Sequence, residues 1–346
     1  MPKIDLTFAD GDRVRIEAKS GETILKAARR AGIQLSSDCE VGDCQTCRAT
    51  CLAGEIEYDE LATISLTQAE VDGGEILPCV AMAAGDLAVR LPYERSRLIA
   101  AKRFSIKVEE IRRLSASVVG LIGRMVGPVP LKFLPGQYAN LQVPGTTEWR
   151  SYSMANAPGD ARLLEFHVRL LDDGVMSRYL AERAVPGDTI QCVGPQGSFY
   201  LRGGMRRMLM VAGGTGIAPM ASMLRQMIAA REPRPVTLCF GVTEATDLFL
   251  VEELKQMASS FPQFDLRIAV AKGVSNPGVH TGFVTDLIGA ESLADADVYL
   301  CGPPAMTDRA REIATGLGAV PAAIFSERFL PSARSDAPAR AEAFSG

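Results

Sequence analysis

Hydrophobic and polar positions change their period along the chain. At the start, "KIDLTF" and "RVRIEA" alternate apolar and polar residues around "ADGD", which predicts a β-hairpin. Thr23 then caps "ILKAARRAG", whose apolar residues recur at helical spacing and whose Gly32 supplies a stop. From residue 102 to 203 the chain reads as short alternating strands: "FSIKVEEI", "SVVGLIG", "GQYANLQV", "WRSYSMAN", "LLEFHVRLL" and "TIQCVGP". Pro and Gly turns divide them, so a small antiparallel β-barrel is predicted. Beyond residue 203 the strands become continuous apolar runs, "RMLMVAGG", "VTLCFGV", "FDLRIAV" and "DVYLCGP", separated by helix-like segments. Strands buried on both faces look like this, and the region is expected to be a doubly wound α/β domain with a parallel sheet.

Three units suit the length, because 346 residues exceed what one core ordinarily holds. The expected division is a first domain over 1–93, a linker over 94–101, the barrel over 102–203, the α/β domain over 204–330 and a tail over 331–346. The fold class is therefore multidomain, α+β and α/β. The tail, "PSARSDAPARAEAFSG", is rich in Pro, Ala and Ser and is expected to be disordered.

The longest uncharged run, Met208 to Leu224, holds glycines, a proline and a threonine in its middle, which suits a strand, a turn and a helix and not a membrane span. The N-terminus carries a charge every few residues and no apolar h-region, so a cytoplasmic protein is expected. Charge is uneven: residues 1–93 hold 9 Lys and Arg against 16 Asp and Glu, and the remainder holds 28 against 25. An acidic front end argues against nucleic acid as partner and for a complementary basic protein surface.

Cysteine usage sharpens the picture. "CEVGDCQTC" places Cys39, Cys44 and Cys47 in nine positions, and Cys79 follows in "EILPCVAMA". The spacing C-x4-C-x2-C with a distant fourth cysteine matches the plant-type [2Fe–2S] pattern. Gly42 lets the loop fold tightly, and amide N–H groups of such loops point at the sulfurs. A structural zinc site would want a second C-x2-C pair near Cys79, and a Rieske centre would need histidines beside the cysteines; neither is present. Cys51 is expected to be a small buried residue at the start of the strand "CLAGEIEY", and Cys192, Cys239 and Cys301 are too scattered to form another site by spacing.

In the barrel, "RSYS" supplies Arg150 for a diphosphate, Ser151, Tyr152 as an aromatic wall and Ser153 as a hydroxyl near a flavin N5. "DDGVMSRYL" supplies a turn at Gly174 and Ser177 opening a helix whose N-terminal amides face an anion. These motifs resemble the R-x-Y-S and G-x-x-S elements of the ferredoxin-NADP reductase-like flavoproteins, and "GPQGSFYLR" resembles that family's barrel exit. The likeness covers roughly residues 102–330 and implies FAD, less often FMN.

The nucleotide turn departs from the standard dinucleotide fingerprint, with Gly214, Gly216 and Pro219 forming G-x-G-x-x-P. Together with Cys301, Gly302 and Pro303, the turn Gly213, Gly214, Thr215, Gly216 resembles the family's "GGTG" and "CGP" elements, which imply contacts to nicotinamide and pyrophosphate. The loop "GVTEATDLFL" contains Glu244 and Asp247 and no cation, so NADH is expected over NADPH. The resemblance also places Glu327 and Phe329, in "FSERFL", beside the flavin as an acidic group and an aromatic, with Ser153 and Glu327 supporting the chemistry. Family members often stop at that aromatic, whereas this chain continues for 17 residues.

Over nearly its full length the chain resembles the reductase components of bacterial aromatic-ring-hydroxylating dioxygenases of the benzoate and anthranilate type. That implies a ferredoxin β-grasp domain, FAD, NADH, a monomeric chain and a terminal oxygenase partner with a Rieske centre and mononuclear iron. Gln45 stands where many ferredoxins have glycine or serine. Two other readings use the same modules: reductase for a diiron monooxygenase, and a non-catalytic electron-transfer or redox-sensing protein with a vestigial nucleotide site.

Overall fold

The computed structural model describes residues 1–329 except 60, 61, 63, 161, 262 and 274–276, so the expected tail over 331–346 lies outside the described residues. The chain divides into two compact bodies, one of residues 1–102 with 194–198, the other of residues 103–193 with those from 199 onward.

In the first body the predicted hairpin is β1 (Lys3–Thr7) against β2 (Arg13–Glu17), antiparallel, with Ile4, Leu6 and Ile16 turned into the core by the two-residue period. Helix α1 (Ile24–Arg30) starts where Thr23 Oγ1 accepts from Lys26 N at 3.3 Å, and it buries Ile24, Leu25, Ala27 and Ala28. After the cysteine loop come β3 (Ala49–Ala53), β4 (Ile56–Tyr58), α2 (Gln68–Asp72), β5 (Glu75–Ile76), β6 (Ala81–Ala83) and β7 (Leu87–Arg90). Five of these strands form one sheet in the order β2-β1-β7-β3-β5, with β1 and β7 parallel, while β4 pairs with β6 alone.

One local expectation is corrected here. Cys51 lies in the middle of β3 and is half-buried, and the chain turns at Gly54 instead of running straight into "EIEY". Segment 94–101 is fastened to the first hairpin: Arg95 pairs with Asp12 at 2.8 Å, and Ser96 places its N–H and hydroxyl on Asp10 Oδ2 at 3.2 and 3.1 Å. The carboxylates of the hairpin turn seat it on the first domain.

The second body holds the barrel and the α/β domain. The barrel strands are β8 (Lys102–Arg113), β9 (Val118–Met125), β10 (Tyr138–Gln142), β11 (Trp149–Ser153), β12 (Leu163–Arg169) and β13 (Thr189–Gln196), ordered β11-β10-β13-β8-β9-β12. An antiparallel bridge between Met154 and Phe166 joins the two ends of that order and closes the cylinder. Ile106, Leu121, Leu141 and Phe166 fill it, and α3 (Val175–Glu182) adds Met176, Tyr179 and Leu180.

The α/β domain follows as β14 (Arg207–Gly213), α4 (Ile217–Ala230), β15 (Val236–Glu244), α5 (Val251–Ala258), β16 (Phe264–Lys272), β17 (Val279–Thr281), β18 (Ala296–Gly302), α6 (Pro304–Gly316) and β19 (Ile324–Arg328). Its sheet is parallel in the order β17-β16-β15-β14-β18-β19, so the chain reverses direction across the sheet between β14 and β18. Strands β17 and β19 add to the four read from sequence; each is short and only partly apolar. The uncharged run of Met208 to Leu224 is strand, turn and helix, and no helix among the described residues is long and apolar enough to cross a membrane.

Candidate functional site

The cysteine loop is built by backbone geometry that few sequences tolerate. Glu40, Gly42 and Gln45 all have positive φ, at 59°, 84° and 57°. Glycine adopts this region freely; Gln45 does so with its side-chain amide donating to Ser65 O at 2.6 Å, which holds the turn. Glu40 is held by the Arg29 guanidinium at 2.8 Å, and buried Tyr93 accepts from Ser36 N at 3.0 Å just before the loop. Tyr93, Arg29 and Glu40 support the loop without carrying any sequence signal of their own.

Three thiols of that loop and the distant Cys79 come together, with Cys39 beside Cys44 and Cys47 beside Cys79. Cys44 N–H approaches Cys39 Sγ at 3.3 Å, and Cys39 N–H approaches Cys44 Sγ at 3.5 Å. A hydrogen bond from the Cys44 thiol, opposed by burial and aided by the N–H groups of Cys44, Val41 and Asp43, lowers the Cys39 pKa to about 6. Cys79 is lowered first by the Cys47 thiol and also receives the Gly42 N–H. Among the described residues no three His, Cys, Asp or Glu side chains form a single-ion site. Two thiol pairs with amides aimed at sulfur suit a cluster of two irons, each taking one pair, whereas a single zinc needs all four thiolates around one point.

In the barrel, β11 presents the "RSYS" residues alternately. Ser151 Oγ donates to Asn140 Oδ1 across the β10 pairing at 2.6 Å. Arg150 reaches back to Glu148 Oε2 at 2.5 Å and to Trp149 O at 2.8 Å, so a diphosphate at Arg150 has a local carboxylate to displace. Tyr152 is half-buried against the barrel core, and its phenol pKa is raised by burial. Gly174 caps α3, but the Ser177 hydroxyl accepts the Leu171 N–H at 2.8 Å and sits buried under the turn. Ser177 thus closes the loop, and a Cβ at Gly174 would strike it at 2.5 Å. What the turn offers an anion is its backbone N–H groups.

At the reversal point of the parallel sheet the glycines divide by role. A Cβ at Gly213 would meet Met306 Sδ at 2.6 Å, so this glycine lets the end of β14 lie against the start of α6, and one at Gly216 would overlap the Cys301 carbonyl oxygen, so that glycine lets the turn lie against the end of β18. Gly214, at φ +55°, has nothing within 4 Å of its Cβ position and leaves open space on the crevice side. Thr215 completes that turn, and Pro219 is buried in the first turn of α4. Gly302 follows Cys301 at the end of β18, and Pro303 caps α6.

The ends of β11, β18 and β19 meet here. Buried Ser153 donates to Glu327 Oε2 at 3.2 Å, and Glu327 lies opposite Cys301 in the β18–β19 register. Burial pushes the Glu327 pKa up to about 8, with the Ser153 hydrogen bond acting in the other direction. Burial also raises the Cys301 thiol, and the neighbouring Glu327 adds to the rise. Phe329 puts its N–H on Gly302 O at 2.9 Å, and its half-buried ring packs on the α/β core.

The two acidic residues read from the nucleotide loop separate. Glu244 is exposed at the end of β15, but the neighbouring strand brings Lys272 opposite it, a cation that the loop sequence does not contain. Asp247 accepts from Ser117 Oγ at 2.5 Å, and Ala116 N bonds Thr246 O at 3.1 Å beside it. Its carboxylate ties the loop to the barrel.

Three family models match in succession: a 2Fe-2S iron-sulfur cluster binding domain over residues 7–84, an oxidoreductase FAD-binding domain over 105–200 and an oxidoreductase NAD-binding domain over 210–312. Fold and sites thus define an NADH-dependent flavin and iron–sulfur oxidoreductase. The toluate 1,2-dioxygenase electron transfer component of Pseudomonas putida is 35% identical over 96% of this chain and 99% of its own length. Methane monooxygenase component C of Methylosinus trichosporium is 37% identical over 84% of this chain and 87% of its own. Among solved structures, the cytochrome P450 reductase of Amycolatopsis superposes with a TM-score of 0.72 at 28% identity, covering 95% of this chain and 99% of that one. The chain belongs to the family of reductase components that serve as electron transfer partners of ring-hydroxylating dioxygenases and related oxygenases.

Proposed function

We propose that this protein draws electrons from NADH and delivers them singly to a terminal oxygenase that hydroxylates an aromatic ring. The observation that carries this reading is the end-to-end match to a dioxygenase electron transfer component, which spans all three modules. Bound FAD supplies the conversion chemistry, accepting two electrons from the nicotinamide and releasing them one at a time to the [2Fe–2S] cluster.

The chain's own residues have distinct tasks in this scheme. Cys39 and Cys44 hold one iron, Cys47 and Cys79 the other. Arg150, now paired with Glu148, and the amides after Gly174 would hold the FAD diphosphate. Tyr152 would offer an aromatic wall to the isoalloxazine, and Ser153 a hydroxyl near its N5. The Gly213–Gly216 turn, Cys301, Gly302 and Pro303 receive the nicotinamide and pyrophosphate, and Glu244 faces the ribose. Glu327, neutral below about pH 8, adds no negative charge next to the reacting rings and keeps its Oε2 on Ser153.

The partner is an oxygenase with a Rieske centre and mononuclear iron, and the reductase meets it as a cytoplasmic monomer. Service to a diiron monooxygenase is the second reading, favoured by the identity to methane monooxygenase component C. An anaerobic NADH titration of purified protein, with iron and sulfide analysis, is expected to bleach flavin and cluster bands together. Reconstitution with each oxygenase type then separates the partners, and NADH-dependent reduction of cytochrome c excludes a vestigial nucleotide site. A colourless or zinc-containing protein would overturn the scheme.

A further inference from the structure

Helix α4 begins directly after the Gly213–Gly216 turn, and its middle is fastened to the strand that presents Ser153. Arg225 Nη1 donates to Ala155 O, two residues beyond Ser153, at 2.8 Å and to Glu165 Oε2 at 2.7 Å. The same guanidinium holds Glu253 Oε1 through Nε at 3.0 Å and Nη2 at 2.5 Å. One helical turn earlier, fully buried Ser222 donates to Asn156 O at 2.7 Å. Glu165 is braced from behind by His167 Nε2 at 3.0 Å, and the His167 ring packs edge-on against Phe249 with centroids 5.5 Å apart.

One planar side chain thus joins three elements: the β11–β12 edge of the barrel, α4 and α5. Arginine suits this because its donors are fixed in a fork and its charge is permanent, where lysine offers a single mobile ammonium. The cluster is mostly shielded, with side-chain exposure of 20% for Arg225 and 15% for Glu165, so salt and water weaken it less than an exposed pair.

We propose that Arg225 is a positioning residue for the transfer of hydride from nicotinamide to flavin: it sets the nucleotide turn against Ser153 and hence the approach of C4 to N5. The inference rests on the reading that NADH reduces a flavin at Ser153. In that step the C4–H bond of NADH breaks, the hydrogen leaves with the bonding electrons for N5, NADH becomes NAD+ and FAD becomes FADH−. Arg225 touches neither ring. It acts because a displacement of about 1 Å at the reacting atoms costs on the order of 100-fold in rate.

The test is anaerobic stopped-flow reduction of the flavin in holoprotein by NADH and by NADH deuterated at the transferred position, for wild type, R225K, R225Q and E165Q. R225Q is expected to keep its FAD and iron and to bind NADH within about threefold of wild type. Its flavin reduction at saturating NADH should be about 10- to 100-fold slower with an altered isotope effect, and R225K and E165Q should fall between. Amide exchange at 154–156 and 213–216 in R225Q, a readout independent of turnover, should quicken. A saturating rate within twofold of wild type, or a loss confined to NADH affinity, overturns the proposal. If R225Q fails to hold FAD, E165Q decides by the same criteria. A wild-type flavin that NADH does not reduce overturns the underlying reading instead.

Discussion

Ser153 donates its hydroxyl to Glu327 at 3.2 Å across 174 positions of sequence, and burial has pushed that carboxyl to a pKa of about 8. The group therefore enters the neutral range protonated. In the unfolded chain it ionises near its ordinary value of 4.5, so between about pH 4.5 and 8 the folded state binds more protons than the unfolded state. Stability contributed at this site falls as pH rises through that window. The variant E327Q cannot ionise: it should match wild type near pH 4.5 and exceed it by about 1–3 kcal/mol at pH 8.5. Urea unfolding at both pH values checks this, and parallel pH profiles would refute it.

Cys47 and Cys51 make a paired test of the cluster assignment. C47S removes one thiolate from a buried pair, so iron should drop from about two per chain to near zero and the cluster absorbance should vanish, while NADH still bleaches the flavin. C51S alters a half-buried residue whose thiol donates to the nearby Ala53 and Gly54 carbonyls, and iron content should be unchanged. Iron analysis and visible spectra on both variants decide it.

The nucleotide turn predicts two different penalties for adding one methyl group. At Gly216 the added Cβ collides with the Cys301 carbonyl, so G216A should destabilise the α/β domain by about 2–4 kcal/mol and lower expression. At Gly214 the space is open but φ is +55°, so G214A should cost only about 1–2 kcal/mol in stability, with weakened NADH binding. Thermal unfolding and NADH titration separate the two.

Glu244 and Asp247 should no longer behave alike. E244Q is expected to narrow the ratio of kcat/KM for NADH over NADPH, because it removes the exposed carboxylate at the end of β15 and leaves Lys272 opposite it. D247N should change that ratio little and instead cost about 1–2 kcal/mol, since it weakens the bond to Ser117. An unchanged ratio in E244Q would remove Glu244 from the nucleotide site.

The acidic first 93 residues predict salt-sensitive docking on a basic partner surface. Electron transfer to the oxygenase should slow severalfold between low and about 0.5 M ionic strength, while flavin reduction by NADH changes little. Equal salt dependence of both steps would argue against electrostatic docking.

The parts legible in the sequence were local. Alternation in "KIDLTF" and "LLEFHVRLL" marked strands because side chains in a strand alternate faces, and Cys39, Cys44 and Cys47 marked a cluster because one loop must supply three ligands at tight spacing. The short strands β17 and β19 escaped because each is three to five residues with partly exposed faces, too little for a period to show. The hydrogen bond of Asp247 was out of reach for a different reason, since its partner Ser117 lies 130 positions away.

Taken by itself, the sequence carried the module order and the tight spacing of Cys39, Cys44 and Cys47, because periodicity and ligand spacing are properties of neighbouring residues, and its resemblance to known reductases carried the cofactors. Only the tertiary structure decided which of the two nucleotide-loop acids is spent on a barrel contact, that Ser177 is turned into its own loop, that burial raises the Glu327 carboxyl and that Arg225 joins α4 to the segment following Ser153. Those outcomes depend on how separately folded segments pack, where burial sets charge states and a single guanidinium can satisfy three distant elements at once.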